Sequence, residues 1–123
     1  MRLAFADSEV ARVEANGDLL RIVFAAAAIE PTLAGGEGGY LLGLALELSG
    51  ARWQGGAAAC FGRLREGSLS DAVTRFTAIE LPFDGDGPWR AEFTFHGERL
   101  TVDAAHARCV PDAAAVFRAS YAC

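Results

Sequence analysis

The sequence predicts an all-β protein, a single-domain antiparallel barrel, with a two-sheet sandwich as the alternative. Apolar residues recur at alternate positions, as in half-buried strands, and glycine, asparagine and proline interrupt these runs at short intervals. Seven to eight strands built as consecutive hairpins form a meander, and closure of a meander into a barrel removes its exposed edges. The length of 123 residues fits one domain spanning 1–123.

The first third of the chain predicts a β-hairpin. Asn16-Gly17 is a strong turn signal, because both residues tolerate positive φ. A turn one residue later, at Gly17-Asp18, instead sets Glu14 opposite Arg21, an attractive cross-strand pair. Both registers keep the same core face, formed by Val13, Leu20, Ile22 and Phe24.

The segment 39–50, GYLLGLALELSG, predicts the clearest single strand. Its large apolar side chains alternate on one face: Tyr40, Leu42, Leu44, Leu46 and Leu48. Leu41 falls on the opposite face, so the strand is expected to present apolar residues on both sides. The glycine-rich stretch 35–39 predicts a flexible loop, since it lacks the Lys-Ser/Thr that completes a phosphate-binding loop.

The segment 89–109 predicts a second hairpin, with its turn centred on Gly97-Glu98. Its apolar face then consists of four pairs: Phe95–Leu100, Phe93–Val102, Ala91–Ala104 and Trp89–His106. The other face is polar, and its two acids, Glu92 and Asp103, are neighbours flanked by arginines. A turn centred on His96-Gly97 would oppose Phe95 to Glu98, so the first register is favoured.

The rest of the chain is less regular. Its pattern predicts a turn region at 49–56, strands at 57–67 and 72–83, and a plain turn at 84–88. The tail, 111–123, predicts either a short helix capped by Asp112 or a last strand in which Phe117 and Tyr121 alternate with polar residues.

Composition argues against several classes of partner. The net charge is −5, and all eleven basic residues are arginine. Nucleic acid binding needs a positive face that displaces counterions, so this dispersed acidic charge argues against it, and equally against an anionic membrane surface. Twenty-five alanines without one lysine are typical of a GC-rich, bacterial genome.

The N-terminus and the cysteines indicate the compartment. Acidic side chains appear too early for an apolar signal core, and no apolar run approaches the roughly 20 residues of a membrane span. Cys60, Cys109 and Cys123 are odd in number and lack CxxC spacing, which predicts neither a disulfide framework nor a zinc site. A reducing, cytoplasmic location is therefore expected.

Both histidines lie in the second hairpin, which raises the question of a metal or catalytic site. His96 falls at the turn on the polar face, whereas His106 falls on the apolar face about 23 Å away, at about 3.3 Å per residue. Cys109, three residues after His106, again faces the other side. Metal ligands must converge on one point, so no metal, cofactor or catalytic residue is predicted.

Two hypotheses of function follow, and an enzyme ranks third. The first is a non-enzymatic binding domain that holds a small apolar molecule inside the barrel. Its pocket is expected at Trp89 and His106, where Ala91 and Ala104 leave space. The alternative is a protein-interaction module, accessory or immunity-like, that binds a protein partner through an exposed sheet face or edge at Leu41. The identity of the ligand or partner and the oligomeric state stay open.

Overall fold

The computed structural model describes residues 1–31 and 38–119, which form one curled antiparallel sheet shaped as a half-barrel. Strands make up 68% and helical residues 3% of the structure. The all-β, antiparallel, barrel-like prediction is confirmed, and one sheet curls on itself where the sandwich alternative requires two stacked sheets. The described residues hold twelve strands rather than seven or eight, because several predicted strands are broken into short pieces.

The strands are numbered in chain order. They are β1 (Arg2–Asn16), β2 (Leu19–Ile29), β3 (Gly39–Leu42), β4 (Ala45–Ser49), β5 (Arg52–Gln54), β6 (Gly62–Arg63), β7 (Glu66–Ser70), β8 (Arg75–Phe76), β9 (Ala78–Glu80), β10 (Phe83–Thr94), β11 (Arg99–Cys109) and β12 (Val116–Ala119). Across the sheet the order is β12-β3-β2-β4-β11-β10-β7-β8, while β1 pairs with β2, β6 and β9, and β5 pairs with β11. Within the described ranges no helix has the length and apolar character to cross a membrane.

The β1–β2 hairpin adopts the later of its two predicted registers. Asn16 lies opposite Leu19, so Gly17 and Asp18 form the two-residue turn, and Gly17 has a φ of 62°. Glu14 lies opposite Arg21, and its carboxylate accepts a hydrogen bond from the Arg21 guanidinium at 3.2 Å. The cross-strand pair expected from the sequence is therefore present.

Strand β1 is bent by an irregularity that the sequence did not indicate. The register with β2 shifts between Ala4 and Glu9, and Asp7 has a φ of 71°, which is uncommon for a residue other than glycine. The buried Ser8 bridges the gap: its hydroxyl donates to the Ala4 carbonyl at 2.7 Å and accepts the Ala28 N–H at 2.8 Å. The bend lets the two halves of β1 pair with β9 and β6.

The single strand predicted over 39–50 is two strands, β3 and β4. Gly43, with a φ of 89°, separates them and shifts the inward–outward alternation by one residue. As a result Leu41 of β3 and Leu44 of β4 both point into the core, at 4% and 2% exposure. The Gly43 carbonyl accepts the Asp112 N–H at 2.9 Å, a contact with a distant part of the chain. The expectation of an exposed Leu41 is therefore wrong.

The β10–β11 hairpin uses the register that the sequence disfavoured. Thr94 lies opposite Arg99 and Phe93 opposite Leu100, which centres the turn on His96-Gly97. The Phe95 N–H donates to the Glu98 carbonyl at 2.8 Å, which closes the turn. A shift of two residues leaves the side chains between Trp89 and Ala104 on their predicted faces, so the alternation of apolar and polar residues could not distinguish the two registers.

Residues 84–88, predicted as a plain turn, continue strand β10. The pairing of β10 with β11 is regular from Phe83 to Asp86 and shifts before Trp89. The turn at His96-Gly97 already places Trp89 opposite Ala104 and not opposite His106, and the bulge beyond Trp89 then places Asp86 opposite His106.

The remaining segments show where short strands were missed. The predicted turn at 49–56 contains β5. The predicted strand at 57–67 is a 3₁₀ turn at Ala57–Ala59 followed by β6 and the start of β7, and 72–83 contains β8 and β9. In the tail, Val116–Ala119 forms β12 beside β3, so the described part of 111–123 contains a strand and no helix. Tyr121 and residues 35–37 of the glycine-rich stretch lie outside the described residues.

The concave side of the sheet is filled by large apolar side chains from many strands. At its centre the rings of Phe5 and Phe93 meet edge to face with centroids 5.8 Å apart, and both are fully buried. Gly67 makes this contact possible, since a Cβ at that position would lie 2.6 Å from the Phe5 Cβ. The convex face carries ion pairs such as Glu14–Arg21 and Arg90–Asp103.

Candidate functional site

Three of the residues predicted to line a pocket share the inner face of the sheet. Trp89 lies opposite Ala104, and Ala91 lies opposite Val102 on the same side. Ala91 and Ala104 are 1% and 5% exposed within the hydrophobic core. The Trp89 indole packs edge to face on Phe83 with centroids 5.6 Å apart. These contacts fill the position expected for a ligand with the protein's own side chains.

The fourth predicted residue, His106, lies on the opposite, outer face. Its Nδ1 is 2.7 Å from Asp86 Oδ1 and its Nε2 is 2.5 Å from Asp84 Oδ1, and its side chain is 33% exposed. The bulge before Trp89 explains the difference from the sequence-based expectation, because it places the outward-facing Asp86 opposite His106. The structure therefore does not bring His106 together with Trp89, Ala91 and Ala104.

The surroundings of His106 favour its charged form. Hydrogen bonds to Asp86 and then to Asp84 raise its pKa above the ordinary value of 6.5. Each ring nitrogen faces a carboxylate, so only the imidazolium, with two N–H donors, satisfies both contacts. The two carboxylates sit on different nitrogens, and no group of His, Cys, Asp and Glu among the described residues is arranged to hold a metal ion.

A line of alternating charges continues from this histidine across the outer face. Asp84 contacts Arg108 at 3.8 Å, and Arg108 contacts Glu47 at 3.1 Å. Glu47 then contacts Arg21 at 3.7 Å, and Arg21 contacts Glu14 at 3.2 Å. The line crosses β10, β11, β4, β2 and β1, and each charge is offset by its neighbours, which points to a structural role for this part of the surface.

The outer face carries a groove of about 660 Å³ nearer the turn end of β10 and β11. Its walls come from three adjacent strands, β5, β11 and β10, and its lining residues are Arg52, Trp53, Gln54, Arg90, Glu92, Thr101 and Asp103. The volume lies within the range of about 300–1,000 Å³ that is usual for ligand sites. Polar and charged side chains dominate the lining.

Strand pairing arranges the groove residues in two rows. Arg52 and Arg90 both lie opposite Asp103, on its two sides. Gln54 and Glu92 likewise flank Thr101. Since alternate residues of a strand face the same way, both rows project from the same surface.

Two ion pairs hold the charged residues of the groove in place. Arg90 contacts Asp103 through two hydrogen bonds, of 3.0 and 3.3 Å, and this contact raises the Arg90 pKa. Arg99 donates to Glu92 at 2.9 Å. The sequence-based expectation that arginines flank these two acids is confirmed.

Three other polar side chains of the groove are available for hydrogen bonding. Within residues 1–31 and 38–119, no hydrogen bond or ion pair engages the side chains of Arg52, Gln54 or Thr101. They supply donors and acceptors beside the fixed ion pairs. The groove thus combines a pre-arranged charged framework with free hydrogen-bonding groups.

A second cleft, of about 460 Å³, adjoins the groove. Arg52 and Trp53 line both, and the second cleft is completed by Gly17, Asp18 and Ala51. The Ala51 N–H donates to the Asp18 carbonyl at 2.9 Å, which fixes β5 against the β1–β2 turn. Arg52 and Trp53 therefore belong to the lining of both openings, while the side chain of Trp53, opposite the buried Val102, packs against the core.

Sequence reasoning missed the part of this site that β5 supplies. Residues 49–56 were interpreted as a turn because of their glycines, whereas Arg52 and Gln54 flank Trp53 in the polar–apolar–polar pattern of a half-buried strand. Three residues are too short a run to identify a strand from alternation alone. Pairing with β11 is what makes them one.

The two cysteines among the described residues are unsuited to act as nucleophiles. Cys60 and Cys109 are buried free thiols. Burial raises the pKa of both, that of Cys109 to about 12, so the reactive thiolate is disfavoured.

The comparisons with known proteins identify no relative of this chain. The chain matches no protein-family model, no curated protein and no solved structure.

Proposed function

We propose that this chain is a binding domain whose ligand is polar and occupies the outer groove on β5, β11 and β10. The observation that carries the proposal is that the groove contains both polar groups held in ion pairs and polar groups that remain free to bind a ligand. Arg90–Asp103 and Arg99–Glu92 are already paired, while Arg52, Gln54 and Thr101 have no side-chain partner among the described residues.

The geometry supports binding for an energetic reason. Association orders flexible polar side chains at a cost in entropy, and the two ion pairs already restrain four of these side chains in the free protein. The groove is also built on paired strands, which position side chains more firmly than a loop does.

The earlier hypotheses have less support. An apolar ligand inside the half-barrel would have to displace core side chains around Ala91 and Ala104. For the interaction module, Leu41 is buried, and the large apolar residues that are exposed come from four segments of the described chain: Met1, Phe61, Val73, and the adjacent Val116 and Phe117.

Native mass spectrometry of the protein after incubation with a small-molecule cell extract tests the proposal. We expect a retained non-covalent mass that is lost in the double variant Gln54→Ala/Thr101→Val. Arg75→Ala, which removes an exposed strand arginine outside the groove, is the matched control and keeps the ligand. Equal retention by all three proteins, or retention by none, contradicts the proposal.

A further inference from the structure

We propose that Asn16, at the turn between β1 and β2, is a site of spontaneous chemical modification in which the side-chain amide is lost as ammonia. Part of the product is isoaspartate, in which the backbone runs through the former side chain. Neither the outer groove nor its ligand takes part in this reaction.

Two features of the sequence make Asn16 reactive. Asn16 is the only asparagine of the chain, and Gly17 follows it. Asparagine is among the thermolabile residues of proteins, and its amide carbon can form a five-membered ring with the next backbone nitrogen. Because Gly17 has no Cβ, nothing on that residue obstructs the approach of its own nitrogen.

The turn leaves the reacting groups accessible. Asn16 and Gly17 are exposed, and a Cβ at Gly17 would have no atom within 4 Å apart from its chain neighbours. Gly17 has a positive φ of 62° and Asp18 does not, which identifies a type II′ turn. Among the described residues no backbone carbonyl accepts the Gly17 N–H, so no such hydrogen bond restrains the attacking nitrogen.

Asn16 is also the last residue of β1, where it lies opposite Leu19. The rotation that brings its side chain to the Gly17 nitrogen disturbs this terminal pair and leaves the other pairs of the hairpin in place. Local opening at the end of an element costs less free energy than global unfolding. We therefore expect the folded protein to react without unfolding.

The reaction needs only water as a co-reactant. The Gly17 nitrogen gives up its proton to solvent and attacks Cγ of Asn16, so that a new N–Cγ bond forms. The bond from Cγ to the side-chain nitrogen breaks, and that nitrogen leaves as ammonia. Water then opens the cyclic imide at either of its two carbonyl carbons. Opening at Cγ gives aspartate, whereas opening at the backbone carbonyl carbon gives isoaspartate.

Both products change the end of the hairpin. Each adds one negative charge, and isoaspartate lengthens the backbone by one methylene. The two-residue turn fixes the register of β1 with β2, so a longer backbone no longer fits the pair of Asn16 with Leu19. Asp18, whose carbonyl accepts the Ala51 N–H at 2.9 Å, belongs to the same turn. We therefore expect the isoaspartate form to have a lower urea midpoint than the native protein.

Gln54 provides an internal comparison. It is the only glutamine of the chain, it is exposed, and Gly55 follows it. Its longer side chain would have to close a six-membered ring, which forms less readily. Gly55 is also crowded, since a Cβ there would lie 2.3 Å from the Arg99 carbonyl oxygen. Gln54 should therefore keep its amide under conditions in which Asn16 loses its own.

The test incubates the folded protein in mildly alkaline buffer at physiological temperature and follows tryptic peptides by chromatography and mass spectrometry. Cleavage after arginine places Asn16 in peptide 13–21 and Gln54 in peptide 53–63. Peptide 13–21 should be replaced with time by two heavier peptides of equal mass. One of them should coincide with the peptide from Asn16→Asp, and the other should be the isoaspartate form. Asn16→Ser, which has no amide at this position, is the matched control and should show no change.

The remaining outcomes contradict the proposal. If peptide 13–21 changes in urea but not in the folded protein, the pairing of Asn16 with Leu19 protects the amide. If it changes in neither, the amide is stable. If only the aspartate peptide forms, or if peptide 53–63 changes equally fast, the amide is hydrolysed directly and the Gly17 nitrogen does not attack it.

Discussion

His106 and Asp86 are directly opposite one another on β11 and β10, with Nδ1 2.7 Å from Oδ1. Asp84 contacts the other ring nitrogen. These contacts join the outer side of β10, just before its bulge, to β11. The contacts of His106 with both carboxylates therefore favour its protonated form, where the sequence predicted a ring packed beside Trp89.

Stability should fall as the pH rises through the titration of His106. Its folded pKa is raised above 6.5 by Asp86 and Asp84. The charged ring therefore stabilises the fold fully below the unfolded value, about 6.5, and this contribution is lost as the pH rises through the raised folded pKa. The urea midpoint, measured across this range, should decline in the native protein and decline less in His106→Gln.

His96 provides the control for this prediction, since it lies exposed in the turn between β10 and β11. His96→Gln should keep the native pH dependence. If His106→Gln shows the same decline as the native protein, the His106 contacts do not stabilise the fold.

The two carboxylates should act on the histidine additively. Asp84→Asn and Asp86→Asn each remove one charged hydrogen-bond acceptor, so each should lower the pKa of His106 towards 6.5, and the double variant should lower it further. NMR titration of the imidazole ring measures this. An unchanged pKa in the double variant would show that the contacts do not form in solution.

Substitution by alanine should destabilise the protein at one of two fully buried serines and not at the other. Ser8→Ala removes the acceptor of the Ala28 N–H and the donor to Ala4, so it should destabilise the protein by about 1–3 kcal/mol. The Ser68 hydroxyl has no partner among the described residues, so Ser68→Ala should be neutral or stabilising. Urea denaturation of both variants decides this, and equal losses would refute the difference.

Enlarging Ala104 should disrupt the core. The side chain is 5% exposed among buried apolar residues, so Ala104→Phe should cost about 1–3 kcal/mol or more by overpacking. Thermal unfolding measures the loss, and Ala72→Phe, at an exposed position, should have little effect. A stable, unchanged Ala104→Phe would instead indicate an open cavity at this position.

Shortening Leu41 should have the effect expected of a core residue. Leu41 is 4% exposed, so Leu41→Ala should destabilise the protein by about 2–5 kcal/mol, whereas Val116→Ala, at 47% exposure, should change stability far less. Chemical denaturation compares the two. A loss no larger in Leu41→Ala than in Val116→Ala would place Leu41 at the surface.

Part of the candidate groove could be predicted from the sequence, and part of it could not. Glu92, Asp103 and their arginines were identified on one polar face, because alternation alone assigns residues to faces. Arg52 and Gln54 were missed, because β5 is three residues long and is defined by its pairing with β11. The second cleft depends on how β5 lies against the β1–β2 turn, a contact between distant segments.

The sequence by itself determined the all-β class, the two long hairpins, the Glu14–Arg21 pair and the division of most residues between core and surface. These properties are local, since they follow from alternation and from turn residues. Only the tertiary structure decided the register of β10 with β11, the bulge that turns His106 outward and the change of face at Gly43. A two-residue slip preserves every face, and a bulge or a glycine kink depends on contacts with distant strands, so neither leaves a reliable local signal.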